Sequence, residues 1–251
     1  MILDDAYKKQ QVRYEFAANY CSGLTLDYTF ASIMSYHGSK ILLDNGSKEI
    51  YTYGISNNIQ QCSRRSYDSS RKVIYSLVES NFSHKNKSVN CILYSELTNI
   101  VDAQEKIDYF YNILNENGIL IISALNTNNK SLIIDNSQNY DFFSKTEFIE
   151  LLRTKFSKIE LYSQKLITQK QVVDKKMNLL FILKIKMRFI LSTILLKFDK
   201  DSNFYAKYLK EKNKKYQNME GKLNTEEYTI IPYNEKHNPL FFIAVCHKTK
   251  N

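Results

Sequence analysis

The sequence predicts a doubly wound α/β domain on a mostly parallel sheet, and three observations carry that expectation. Short apolar runs alternate with helical stretches from Leu24 to Gln164, and such alternation puts crossover helices on both faces of a parallel sheet. Val89 to Tyr94 is an apolar run of the kind found in a strand buried on both faces. Leu240 to Cys246 is an isolated apolar run after Pro239, placed to add a last, antiparallel strand near one edge. The chain has 251 residues and is 43% hydrophobic, enough to bury one large core.

The elements follow in order. Tyr7, Tyr14, Phe16, Ala17 and Tyr20 give residues 5–21 the pattern of a leading helix. Leu24 to Tyr28 is the first strand. Ser39 to Asp44 continues a helix that Asn45-Gly46 ends, glycine being favoured just past a helix C-terminus. Ile50 to Tyr53 gives the second strand, Asn58 to Ser66 a helix, and Lys72 to Val78 the third strand. After the fourth strand, Ile107, Phe110, Tyr111 and Leu114 recur at helical spacing. Asn117-Gly118 breaks that helix, and Ile119 to Ser123 is the fifth strand. Ser144-Lys-Thr-Glu147 has the form of a capping box opening a helix through Phe148, Leu151 and Leu152. Phe156 to Tyr162 is the sixth strand. The expected whole is seven strands, with the first central.

Residues 1–164 and 236–251 thus form the α/β domain, and 165–235 are a helical insertion between its last two strands. Within the insertion, Met177 to Phe198 is strongly apolar but interrupted by Lys184, Lys186, Arg188 and Lys197. A membrane span needs about 20 predominantly apolar residues, so these charges speak against one. The expectation is a helix packed partly on the α/β domain, with an apolar strip left for a partner subunit, a lipid-linked acceptor or a membrane surface.

Composition narrows the function classes. Cys21, Cys62, Cys91 and Cys246 form no C-x-x-C pair, which points to free thiols in a reducing compartment. The histidines are dispersed, giving no metal-ligand spacing. Met1 to Gln11 is polar, without the apolar segment of a secretory signal. A cytoplasmic setting is expected, with peripheral contact at the inner membrane surface as an option. The formal net charge of +9 suits an anionic partner or surface. Arg64, Arg65, Arg71, Lys72 and the lysines of 207–215 lack any accompanying nucleic-acid motif, so that partner class is not favoured.

Residues 26–56 carry the layout of a nucleotide-site βαβ unit, with Asp27 ending its first strand. Together with Arg13-Tyr-Glu-Phe-Ala17, Val89-Asn-Cys-Ile-Leu-Tyr-Ser-Glu96, Tyr111 to Ser123, Ser144 to Tyr162 and Phe241 to Cys246, it resembles the class I S-adenosylmethionine (SAM)-dependent methyltransferases. The resemblance implies a Rossmann-like seven-stranded fold with an antiparallel last strand, SAM as cofactor, and methyl transfer to an acceptor. Proteins of this kind with a long late insertion resemble enzymes acting on sugars, glycolipids or other small hydroxylated acceptors.

Carried over residue by residue, the family's cofactor positions fall on Asp27, on Thr29 and Ala31 in the following loop, on Tyr53 and Gly54 at the end of the second strand, and on Val78 after the third. Three of these depart from the family's pattern, Val78 standing where the family has an acid near the adenine. No glycine lies between Asp27 and Gly38, where the family has a glycine-rich turn, and Gly54 stands where a carboxylate pairs with the ribose hydroxyls. Asp27 reads either as a cofactor-site acid or as a strand-end residue capping its turn. Glu96 reads either as a general base for a hydroxyl acceptor or as a first-turn helix carboxylate. Two functions follow: a divergent methyltransferase, or an inactive protein of the same fold serving as an interaction or regulatory module.

Overall fold

The face on which side chains are buried alternates along the central strands, and that alternation builds the layers. In a computed structural model of the chain, Ile92 and Tyr94 point into one core with Leu26, Leu120 and Ile122. Their neighbours Cys91 and Leu93 point into a second core with Ile50, Ile121, Ile243 and Val245. Successive strand side chains face opposite ways, so a sheet apolar at every position must be covered on both sides. The described residues are 2–28, 35–54, 73–77, 89–97, 102–132, 142–166 and 226–249.

The helices are α1 (Ile2–Ala18), α2 (Ser35–Asp44), α3 (Ala103–Ile113) and α4 (Lys145–Arg153). Tyr14 and Ala17 of α1 and Leu42 of α2 close one face. Ile107 and Phe110 of α3, with Phe148 and Leu152 of α4, close the other. The strands are β1 (Gly23–Asp27), β2 (Ser47–Gly54), β3 (Val73–Leu77), β4 (Val89–Leu97), β5 (Leu114–Asn126), β6 (Phe142–Phe143), β7 (Lys158–Leu166), β8 (Ile230–Pro232) and β9 (Pro239–His247). They run in the order β3-β2-β1-β4-β5-β9-β7-β8, with β6 beside β5. Pairing is parallel from β3 through β5, and β9 is antiparallel to both β5 and β7. The strand order reverses between β1 and β4, where ligands bind in open α/β sheets.

The predicted fold class is therefore observed, with corrections of detail. Two short strands, β6 and β8, join the seven predicted, and β1 is third in the row rather than central. Residues 226–235, the end of the expected insertion, contain β8, which pairs with β7. The leading helix stops at Ala18, short of Tyr20, and α2 already begins at Ser35. The third helix ends at Ile113: Leu114 is extended and opens β5, opposite Val89. Its apolar spacing after Tyr111 reflects burial, which a strand residue satisfies equally well. The sixth strand runs to Leu166 because β9 pairs with it along that length. The helix at 58–66 and the apolar run of the insertion lie outside the described residues.

Local signals were read well where side chain and backbone share one interaction. Ser144 accepts from the Glu147 amide while Glu147 accepts from the Ser144 amide, the complete capping box. Gly46 ends α2 at φ +126°, a conformation side chains resist. Cys91 and Cys246 are fully buried free thiols, and burial pushes both thiols up from their ordinary range. Cys62 lies outside the described residues.

Candidate functional site at the carboxyl edge of the sheet

The register fixes which residues meet at the carboxyl ends of the strands. Asp27, the last residue of β1, pairs with Thr52 on β2 and Leu93 on β4. Tyr53 and Gly54 continue β2 beyond that level, and Gly54 pairs with Leu77, the last residue of β3. Glu96 lies near the end of β4. Asp27, Tyr53, Gly54 and Glu96 thus share one edge of the sheet, as expected from the sequence. Thr29, Ala31 and Val78 lie outside the described residues, as do most of the positions expected to narrow the site between Thr29 and Tyr36.

Asp27 is almost completely buried at 1% exposure. A carboxylate there needs hydrogen bonds to offset its desolvation. One comes from α1: the Tyr14 hydroxyl donates to Asp27 Oδ2 at 2.7 Å. Tyr14 is itself fully buried, and its ring lies against Gly38 of α2, where any Cβ would collide with the ring carbons. The glycine nearest after Asp27 therefore seats an aromatic ring. The negative Asp27 also contributes to raising the Cys91 thiol, after burial itself and the neighbouring Cys21.

Arg13, the residue before Tyr14, secures the same helix to β4 and β7. Its Nε donates to Gln164 Oε1 at 2.8 Å and its Nη1 to the Ser95 carbonyl at 2.6 Å. Its guanidinium lies 4.6 Å from the Phe241 ring centroid, within cation–π range. The β4–β5 register shifts between Tyr94 and Leu97. Ser95 sits in that irregularity, and its buried carbonyl accepts from Arg13 and from the Ser123 hydroxyl. Irregular pairing of this kind re-aims a strand end and is frequent beside binding sites. It also corrects one reading of Glu96, which stands in β4 and not in the first turn of a helix. Among the described residues, a cavity of about 10 Å³ lies between α1 and the sheet, lined by Arg13, Phe16 and Ser95 among others, room for one water.

Thr52 adds a feature that the sequence reading missed. Paired residues on parallel strands share a face, so Thr52 projects on the Asp27 side, with Ile50 below it in the core. It is 3% exposed, and among the described residues its Oγ1 has no hydrogen-bond partner. An orphaned buried hydroxyl costs about 1–3 kcal/mol. Tyr14 was legible in part: a tyrosine in the apolar stripe with Ala17 and Cys21 requires a partner for its hydroxyl. Nothing in the sequence said that the partner was Asp27.

These residues fit a SAM-like ligand at two places and leave a third without a side chain. Asp27 is a fixed carboxylate at the reversal of strand order, and Thr52 supplies an unsatisfied hydroxyl beside it. Position 54, a glycine, presents only backbone.

No family model matches the sequence, and no curated protein does either. Solved structures match it over almost its whole length. A putative SAM-dependent methyltransferase from Listeria monocytogenes has a TM-score of 0.54 at 11% identity, covering 98% of this chain and 99% of its own. Phosphoethanolamine N-methyltransferase 2 of Haemonchus contortus, solved with S-adenosyl-L-methionine, scores 0.52 at 15% identity, covering 96% of this chain and 53% of its own. The [4+2]-cyclase SpnF scores 0.52 at 10% identity, covering 97% and 81%. Identities this low speak to architecture alone. Strand order, the antiparallel β9 and the near-complete coverage agree: the chain has the class I SAM-dependent methyltransferase fold.

Proposed function

We propose that this protein is a divergent SAM-dependent methyltransferase acting on a sugar, a glycolipid or another small hydroxylated acceptor. The observation that carries the reading is Asp27, buried and held by Tyr14 at the point where strand order reverses. A scaffold kept only for binding partners has little need to bury a carboxylate there. Asp27, Thr52 and the backbone at Tyr53 and Gly54 are the groups that would hold the cofactor. Bound SAM supplies a methyl group already activated by its sulfonium. The chain's own work is then positioning and exclusion of water, which can provide most of the acceleration. Glu96 is the carboxylate assigned to take the acceptor's hydroxyl proton.

The missing carboxylate at Gly54 weakens cofactor affinity by about 1.5–3 kcal/mol, or one to two powers of ten. The basic balance of the chain, +9, supports an acceptor presented at an anionic membrane surface. Among the described residues no helix is long and apolar enough to cross a membrane. The test is transfer of label from methyl-labelled SAM to a panel of sugars, glycolipids and small hydroxylated compounds, with and without anionic vesicles. Label in an acceptor, lost in Asp27→Asn, is the expected result. Binding of SAM without transfer to any acceptor supports the second reading, a methyltransferase-fold module without catalysis, which Gly54 favours.

A further inference from the structure

Gln164 of β7 is fully buried on the face that α1 covers, and its side-chain amide reaches two other elements at once. Its Oε1 accepts from Arg13 Nε at 2.8 Å. Its Nε2 donates to the Lys9 carbonyl at 3.2 Å and to the Tyr228 carbonyl at 3.1 Å. Lys9 and Arg13 lie about one turn apart on α1, and both hold their cationic groups over the Phe241 ring of β9, at 4.8 and 4.6 Å. Tyr228 ends the 3₁₀ turn Glu226–Tyr228, just ahead of β8. That turn has its own clamp on β7. Lys165 has φ +57°, a conformation that side chains rarely adopt, and its Nζ donates to the Tyr228 hydroxyl at 2.8 Å and pairs with Glu227 at 2.9 Å. The Gln164 amide has two hydrogens, one for each carbonyl. Withdrawal of either the helix or the turn therefore leaves a buried donor unsatisfied, which costs free energy.

We propose that Gln164 is a coupling residue: it makes the seating of the Lys9–Arg13 turn of α1 and the closure of the chain at Glu226–Tyr228 mutually dependent. The place where the chain returns to the sheet after residue 225 thereby acts on the helix that Arg13 anchors at the Ser95 carbonyl of β4. Nothing in this coupling depends on the carboxyl edge being a SAM site.

The experiment is hydrogen exchange of the full chain, read by mass spectrometry under conditions where the rate reports local opening. Lys165→Met removes the clamp on the turn and leaves the Gln164 side chain in place. It is expected to speed exchange at residues 226–230 about tenfold, the worth of one hydrogen bond to a charged group. At residues 9–13 it is expected to speed exchange about threefold, the worth of one neutral hydrogen bond. Tyr228→Phe, which deletes only the hydroxyl, should give the same pattern at smaller amplitude. On a Gln164→Met background, Lys165→Met should still act on 226–230 and no longer on 9–13. Acceleration confined to 226–230 in both single variants would overturn the proposal. An effect on 9–13 that survives Gln164→Met would overturn it too, because the link would then be direct packing of α1 on the turn. So would equal acceleration throughout β4 and β5, which is a loss of global stability without coupling.

Discussion

The β4–β5–β9 half of the sheet and the β1–β2 end are built on opposite terms. In the first, one whole face is closed by apolar groups: Ile92, Leu120, Ile122, Phe242 and Ala244 meet Phe110, Phe148 and Leu152. At the second, a carboxylate, a phenol and an orphaned hydroxyl are buried within one strand spacing of each other. Apolar burial stabilises without regard to orientation, whereas each buried polar group costs free energy unless its partner is placed correctly. The difference separates the half that makes the fold from the end proposed to take a ligand. Changes in the first should act on stability alone, and changes in the second on binding as well.

The largest effect is expected from Phe148→Ala. The side chain is fully buried against Phe143 and Phe242, and its loss should lower unfolding free energy by about 3–5 kcal/mol. Affinity for S-adenosylhomocysteine should be unchanged wherever the variant is folded; a parallel loss of affinity would dissolve the distinction between the two regions. Gly38→Ala comes next. Its Cβ collides with a rigid ring rather than with a flexible chain end, so Tyr14 must move, at about 1–3 kcal/mol. Here the loss of stability should come with a loss of affinity, because the Tyr14 hydroxyl is displaced from Asp27.

Ser144→Ala removes one side of the capping box and should cost about 1 kcal/mol. Affinity should be untouched, since α4 lies on the face opposite α1 and α2. The smallest effect on stability is expected from Thr52→Val, which deletes a hydroxyl without a partner. Denaturant titration should find it neutral or slightly stabilising, while calorimetry should find ligand affinity reduced. Clear destabilisation would show that the hydroxyl is satisfied within the fold.

The same contrast explains what the sequence disclosed. Apolar periodicity located the core strands because a strand covered on both faces is apolar along its covered stretch, as Cys91 to Tyr94 of β4 and Leu240 to Cys246 of β9 are. The capping box was legible because its two partners are three residues apart. Leu114 was misassigned to the preceding helix because burial in a strand and on a helix face demand the same side chain. Asp27, Tyr53, Gly54 and Glu96 were located by the order of elements. Tyr14 and Gly38 carry long-range information of another kind: the partner of the phenol lies 13 residues away, and Gly38 matters for what presses on it. Thr52 was invisible because an unsatisfied hydroxyl is defined by partners it lacks in the folded chain.

Calorimetric titration of the full chain with SAM tests the central claim most directly. Saturable one-to-one binding with a dissociation constant below about 1 mM, weakened by Asp27→Asn and by Thr52→Val, is the expected result. Heats no greater than dilution up to that concentration, in a protein shown to be folded, would contradict the assignment of the carboxyl edge as a cofactor site.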